Sequence, residues 1–289
     1  MNIAVNVNGQ ITDAEHATVS ALDRGFLFGE GVYETLRTYN RRPFLLNRHL
    51  DRLRGSASHL SLTVPLDDVG YAERIAETVS AVSDKETELY IRLLVTRGVG
   101  DLTYDPNSCP DSTVVIIVRP YAGASTELDE KGITVVRSSI VRNHPAALNP
   151  IIKSNNLLNN ALAMQEAIKA GADEALMLDP HGFVATCNST HFFIVRQGEV
   201  WTSTGDYCLP GITRGNIVAL CRENDIPVFE KNFSLTEVYC AEEAFVTGTF
   251  GGLSPVASVD GRTLGPGKLG PMTMQLRELY RNLIEQDCA

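Results

Sequence analysis

The sequence predicts a mixed α/β (α+β) chain built as two domains, and three observations carry that prediction. Its 289 residues, 44% of them hydrophobic, can bury more than one small core. Runs with apolar residues at every second position are interspersed with runs at helical spacing along the chain. Between them, YAGASTELDEK at 121–131 turns small and polar, the composition of a link between domains. The expected layout is a small N-terminal α/β domain at 1–121, a linker at 122–131 and a larger, strand-rich domain at 132–289.

The elements follow in order. IAVNVNGQ at 3–10 has strand character, and DRGFLFGEGVYETLRTYN at 23–40 has the glycine content of a turn. Apolar residues at helical spacing predict helices at 47–62 and 69–83. Two strand patterns, ELYIRLLVT at 88–96 and TVVIIVR at 113–119, flank RGVGDLTYDPNSCPDS, whose Gly and Pro mark an exposed loop and a candidate lid. Beyond the linker we expect a strand at 133–138, a helix at 157–170, strands at 174–178 and 191–196, and a helix at 214–224. Further strands lead to a C-terminal helix at 271–285.

Composition narrows the function. A net charge of −10 without a basic stripe argues against nucleic acid and anionic membrane as partners and favours small molecules. No run of about 18 apolar residues occurs, and the N-terminal MNIAVNVNGQITDAEH lacks a basic, then apolar leader, so the expected location is the cytoplasm. Six cysteines without CxxC spacing read as free thiols, not as metal ligands.

Four segments carry candidate chemistry. In NPIIKSNNLLNNALAM, Lys153 stands alone between an apolar run and a helix; a partly desolvated lysine there would suit Schiff-base chemistry, while a solvated lysine is the plain alternative. In LPGITRGNIVAL, Pro210 and Gly211 turn into a helix whose first N–H groups, with Ile212 and Thr213, form either a phosphate site or a simple cap. VTGTFGGLSPV, with Thr247 and Thr249, is either a close backbone approach to a ligand or a tight β-turn. RHLDRL sets Arg48 and Arg52 at helical spacing, suited to a phosphate or to surface ion pairs.

Taken together and in this order, the four segments resemble the fold-type IV pyridoxal 5'-phosphate (PLP) enzymes, which include branched-chain and D-amino-acid aminotransferases, (R)-amine transaminases and aminodeoxychorismate lyases. The resemblance covers nearly the whole chain. It implies a PLP cofactor seated between the two domains, with Lys153 as the catalytic lysine. Arg52 of the HxxR pattern (His49 to Arg52), Ile212 and Thr213 of GITR, and Thr249 of the GT turn are implied cofactor-phosphate residues. Tyr33 matches an aromatic of the substrate wall, and Tyr90 and Arg92 match residues that receive the substrate carboxylate. The loop at 98–106 resembles one that reaches a neighbouring subunit, which implies a homodimer. The implied activity is amino transfer between a hydrophobic or branched-chain amino acid and a 2-oxo acid. The alternatives are a PLP-dependent lyase or a D-amino-acid or (R)-amine transaminase.

Three positions depart from the family pattern. GFVATCNSTH places Thr186 where a glutamate ordinarily faces the cofactor's ring nitrogen; a neutral hydroxyl cannot hold a proton there by charge. Leu158 replaces a tyrosine of the branched-chain enzymes, yet the loop after Gly98 lacks the Arg-x-His pair of the D-amino-acid enzymes. Phe250, also implied at the substrate, is bulky where the family is small.

Overall fold

A computed structural model describes residues 1–121, 123 and 131–288. Of the linker expected at 122–131, only Gly123 and Lys131 fall among the described residues. The chain divides into two compact units: Met1–Gly123 with Ile152–Asn156 and Asp287–Ala289, and Ala124–Ile151 with Leu157–Gln286. The stretch around Lys153 therefore counts with the first unit, although the linear layout set it within 132–289.

In the first unit, β1 (Ala4–Val7), β2 (Gln10–Asp13), α1 (Arg24–Leu27), β3 (Gly31–Tyr39), β4 (Arg42–Pro43), α2 (Leu46–His59), α3 (Asp68–Ala81), β5 (Leu89–Thr96) and β6 (Thr113–Pro120) follow in sequence. The strands form one antiparallel sheet in the order β2-β1-β6-β5-β3-β4. Alternation assigns its faces. Val32 and Leu36 of β3, with Ile91, Leu93 and Val95 of β5, are buried in one core with Leu50, Leu53 and Ala57 of α2 and Tyr71 and Ile75 of α3. The other face carries Tyr33, Thr35 and Arg37, register partners of Leu94, Arg92 and Tyr90.

The second half of the segment expected as a glycine-rich turn is instead the nine-residue strand β3. Its glycines serve the approach of another chain segment. Residues 152–156 lie along the edge of β3: Val32 bridges Ser154, Tyr33 N donates to Lys153 O at 3.0 Å, and Asn155 N donates to Gly31 O at 2.9 Å. A Cβ at Gly31 would sit 2.5 Å from Asn155 Nδ2, so the glycine lets the Asn155 side chain lie where it does. These bonds, with Lys153 N donating to Ser56 Oγ at 3.1 Å, are the physical reason Lys153 belongs to the first unit.

The second unit contains β7 (Ile133–Arg137), α4 (Pro145–Leu148), α5 (Leu158–Ala170), β8 (Glu174–Leu178), β9 (Val184–Cys187), β10 (His191–Arg196), β11 (Glu199–Thr202), α6 (Ile212–Glu223), β12 (Val228–Glu230), α7 (Leu235–Tyr239), β13 (Glu243–Gly248), β14 (Gly252–Val259), β15 (Arg262–Thr263) and α8 (Pro271–Cys288). Its mixed sheet runs β12-β11-β10-β13-β14-β7-β8-β9, with β15 beside β14. Phe192, Ile194, Ala244 and Val246 enter a core with Val135, Leu176 and Val256, while Phe193 and Phe245 stack on the opposite face at 4.8 Å. The whole is the mixed α/β architecture the sequence predicts. No helix among the described residues is long and apolar enough to cross a membrane.

Candidate active site

Tyr33 organises the expected residues of the first unit. The Lys153 Nζ lies 4.4 Å from the centroid of the Tyr33 ring, and the Arg92 guanidinium carbon lies 4.1 Å from the same centroid. Both cations thus face an aromatic quadrupole. Lys153 Nζ makes no hydrogen bond or ion pair with a described residue. Burial first, then the positive charges of Arg52 and Arg92, against the pull of Glu34, bring its ammonium down from 10.5 to about 7. Near neutral pH a substantial share of Lys153 is therefore the free amine that a carbonyl group needs. Burial also raises the Tyr33 phenol, which stays protonated.

Arg52 reaches this site by way of Glu34. On α2, His49, Arg52 and Ser56 form one inward stripe, spaced three and four residues apart. Arg48, expected on the same face as Arg52, is exposed instead, because the buried side of α2 is centred on His49, Leu50, Leu53, Ser56 and Ala57 and leaves Arg48 outside it. Glu34 is fully buried on the core side of β3. Arg52 donates Nε and Nη2 to its two oxygens, each at 2.7 Å, and His49 Nδ1 lies 2.6 Å from Glu34 Oε2. Burial alone would raise the Glu34 carboxyl; the bonds from Arg52 and His49 outweigh it and hold the group down at about 2. Burial also depresses His49, so its imidazole is neutral and Nδ1 carries the donated proton.

Tyr90 stands two residues from Arg92 on β5, with Arg119 4.8 Å over its ring. It shares the sheet face of Tyr33 and Arg92 but is engaged by a different arginine.

The remaining expected residues belong to the second unit. Ile212 and Thr213 open α6 and are buried. Gly211 caps the helix with no side chain, so the first N–H groups are left to other partners by helix geometry. A Cβ at Gly211 would come within 2.3 Å of His191 Nε2, which explains the glycine and places the His191 ring against the start of this helix. Thr249 and Phe250 occupy the tip of the β13–β14 hairpin, where Gly248 pairs with Gly252, and both are half-buried.

Thr186 is buried on β9, and its Oγ1 donates to Thr190 O at 2.8 Å. Its hydroxyl proton is therefore already committed, leaving the oxygen's lone pairs. The Glu174 carboxylate accepts from the hydroxyls of Ser189 and of the same Thr190. Burial raises Glu174, and it raises Cys187 well above the usual thiol range, so Cys187 is an inert core thiol.

Sequence reasoning missed Glu34. The available signal was an acid at an inward register position between Val32 and Leu36, three residues ahead of Arg37 in VYETLR. A buried acid at such a position requires a cationic partner, and the HxxR helix supplies one.

The residues present fit PLP. A lysine amine that titrates near neutrality and has no hydrogen-bond partner among the described residues suits a carbonyl, and an uncapped helix start suits a phosphate. Comparison with known proteins agrees. Residues 31–259 match the family model described as Amino-transferase class IV. The chain is 35% identical over 285 residues to a branched-chain-amino-acid aminotransferase of Pseudomonas aeruginosa, covering 96% of this chain and 91% of that one. It is 33% identical over 287 residues to a D-alanine aminotransferase of Listeria monocytogenes, covering 98% and 97%. Among solved structures, the branched-chain amino acid aminotransferase of Thermobaculum terrenum in its PLP form superposes with a TM-score of 0.86 at 29% identity, covering 98% of this chain and 94% of that one. The comparisons favour amino transfer over the lyase alternative. The chain belongs to the class IV aminotransferases, enzymes of mixed α/β fold.

Proposed function

We propose that this enzyme holds PLP on Lys153 and exchanges an amino group between a hydrophobic or branched-chain amino acid and a 2-oxo acid. The observation that carries the reading is the Lys153 amine, brought down to about 7, without a hydrogen-bond partner among the described residues, and sharing the Tyr33 ring with Arg92. Bound there, PLP supplies the electron sink for the amino acid's Cα carbanion. Lys153 Nζ would take the proton from Cα and deliver it to the cofactor's C4' carbon, a role that needs a group titrating near the working pH. Arg52, the N–H groups of Ile212 and Thr213, and Thr249 hold the phosphate. Arg92 with Tyr90 receives the substrate carboxylate, and Tyr33 and Phe250 wall the side-chain pocket. Thr186 offers the ring nitrogen a hydroxyl oxygen whose proton is committed to Thr190.

The test is conversion of the purified protein's visible absorption band on mixing with single donors. Branched-chain L-amino acids are expected to bleach the band fastest and 2-oxoglutarate to restore it. The similarity to a D-alanine aminotransferase makes D-alanine the informative rival donor. Faster bleaching by D-alanine than by L-leucine would reassign the substrate while leaving the cofactor chemistry intact.

A homodimer is part of this proposal. The loop at 98–106 exposes Leu102 (73%) and Tyr104 (82%), while Arg24 anchors its far end by donating Nη1 to Asp105 O at 2.8 Å and to Ser108 Oγ at 3.2 Å. A held loop that exposes apolar side chains suits a second subunit. Sedimentation of the native chain, compared with Leu102→Ser, reads the assembly directly.

A further inference from the structure

We propose that Glu34 is a positioning residue of the Lys153 site: its carboxylate aligns the Arg52 guanidinium, fixes the His49 tautomer, and is the buried negative charge that balances Lys153. Only the part concerning phosphate affinity rests on the function proposed above.

The geometry supports each role. A carboxylate accepting Nε and Nη2 together, at 2.7 Å each, fixes the plane of a guanidinium as a single contact cannot. The same Oε2 faces His49 Nδ1, so the α2 stripe is tied to β3 at two points. Tyr33, adjacent in β3, turns to the other face of the sheet, where Lys153 and Arg92 share its ring. Lys153 lies along the edge of the same strand, its carbonyl accepting from the Tyr33 N–H, so the amine and the carboxylate belong to adjoining positions and each favours the other's charge.

The charged and titratable groups facing Lys153 from the packed elements are Tyr33 and Glu34 of β3, His49 and Arg52 of α2, and Arg92 of β5. His49 is neutral and Tyr33 is protonated. Without Glu34, Lys153 would face Arg52 and Arg92 without the carboxylate that opposes them, and Arg52 would lose its paired bonds to that carboxylate. Function thus depends on a residue whose contacts are with its own neighbours, a positioning role and not a catalytic one.

Two variants separate charge from alignment. Glu34→Gln removes the charge and keeps the length; Glu34→Asp keeps the charge and shortens the reach by one methylene. The first readout is the pH midpoint for modification of Lys153 by an amine-reactive reagent in the cofactor-free protein, with the site located by peptide mass spectrometry. Glu34→Gln is expected to lower the midpoint by about one pH unit, the roughly tenfold effect of one nearby charge, and Glu34→Asp to leave it in place. The second readout is affinity for PLP against affinity for pyridoxal, which lacks the phosphate. Both variants are expected to weaken PLP binding about tenfold while changing pyridoxal binding little, the loss of an aligned charged contact.

If Glu34→Gln does not fold, Glu34→Asp decides through the second readout. Wild-type midpoints in Glu34→Gln, or an unchanged PLP-to-pyridoxal ratio in Glu34→Asp, would overturn the inference. Failure of the wild-type protein to bind PLP at Lys153 would instead overturn the proposed function and leave the first readout standing.

Discussion

Lys153 and Tyr33 are joined twice: the Tyr33 N–H donates to the Lys153 carbonyl at 3.0 Å, and the Lys153 ammonium stands 4.4 Å from the centroid of the Tyr33 ring. The backbone bond fixes where the lysine starts and the ring fixes what its end faces. An aromatic face favours the charged amine by about 0.5–1 kcal/mol or more when desolvated. Tyr33→Phe is therefore expected to leave the Lys153 modification midpoint nearly unchanged. Tyr33→Leu is expected to lower it by several tenths of a pH unit, since burial remains and the quadrupole does not. Equal midpoints in the two variants would show that the ring does not influence the amine.

Lys153 also burdens the fold. Its folded pKa, about 7, lies below the ordinary 10.5. A lysine shifted this way contributes no penalty above pH 10.5 and an increasing one as pH falls toward 7, below which the penalty is constant. Lys153→Met, which keeps the stem and removes the charge, should stabilise the cofactor-free protein at pH 7 by on the order of 4 kcal/mol, with the gain vanishing toward pH 10.5. Urea midpoints at both pH values check this; a variant less stable at pH 7 would contradict it.

Acid denaturation reports on the Glu34 cluster. Glu34 is held at about 2 against an ordinary 4.5, so its contribution is complete above pH 4.5 and is lost as pH falls toward 2. The size is on the order of 3 kcal/mol. His49, depressed by burial, adds a loss that begins as pH falls below the ordinary 6.5. The wild-type stability curve should therefore drop through two overlapping limbs, and Glu34→Gln should lack the lower one. A parallel acid limb in that variant would show that other carboxylates dominate.

Thr186 tests how the chain manages without the family's usual acid. Thr186→Glu places a carboxylate in a buried strand position, and its visible band should convert to the amino form faster with a given donor. Thr186→Val removes only the hydroxyl and its bond to Thr190, at a stability cost of about 1 kcal/mol, and should slow conversion. Stopped-flow absorbance on the three proteins orders the rates; the reverse order would mean the ring nitrogen's charge does not limit the reaction.

The site was legible where its residues are local and unusual. Lys153, GITR and the GT turn stand in short segments whose order alone carried the resemblance, and helices α2, α3, α5 and α6 lie where apolar spacing set them. Strand β3 was hidden because its glycines signal turns, whereas Gly31 serves the close approach of Asn155. The membership of residues 152–156 in the first unit was equally invisible, since edge pairing between segments so far apart in sequence leaves no periodicity. Glu34 escaped because alternation assigns charges outward, and only the structure reveals the Arg52 fork that makes an inward acid tolerable. Arg48 and Arg52 shared a nominal i,i+4 spacing, but His49 took the inward place.

The most direct test of the central claim is to reduce the PLP-loaded protein with borohydride, digest it and locate the added mass. We expect a phosphopyridoxyl group on the Lys153 peptide and its absence, together with loss of the visible band, in Lys153→Met. A phosphopyridoxyl group on another lysine, or a band that survives Lys153→Met unchanged, would contradict the assignment of Lys153.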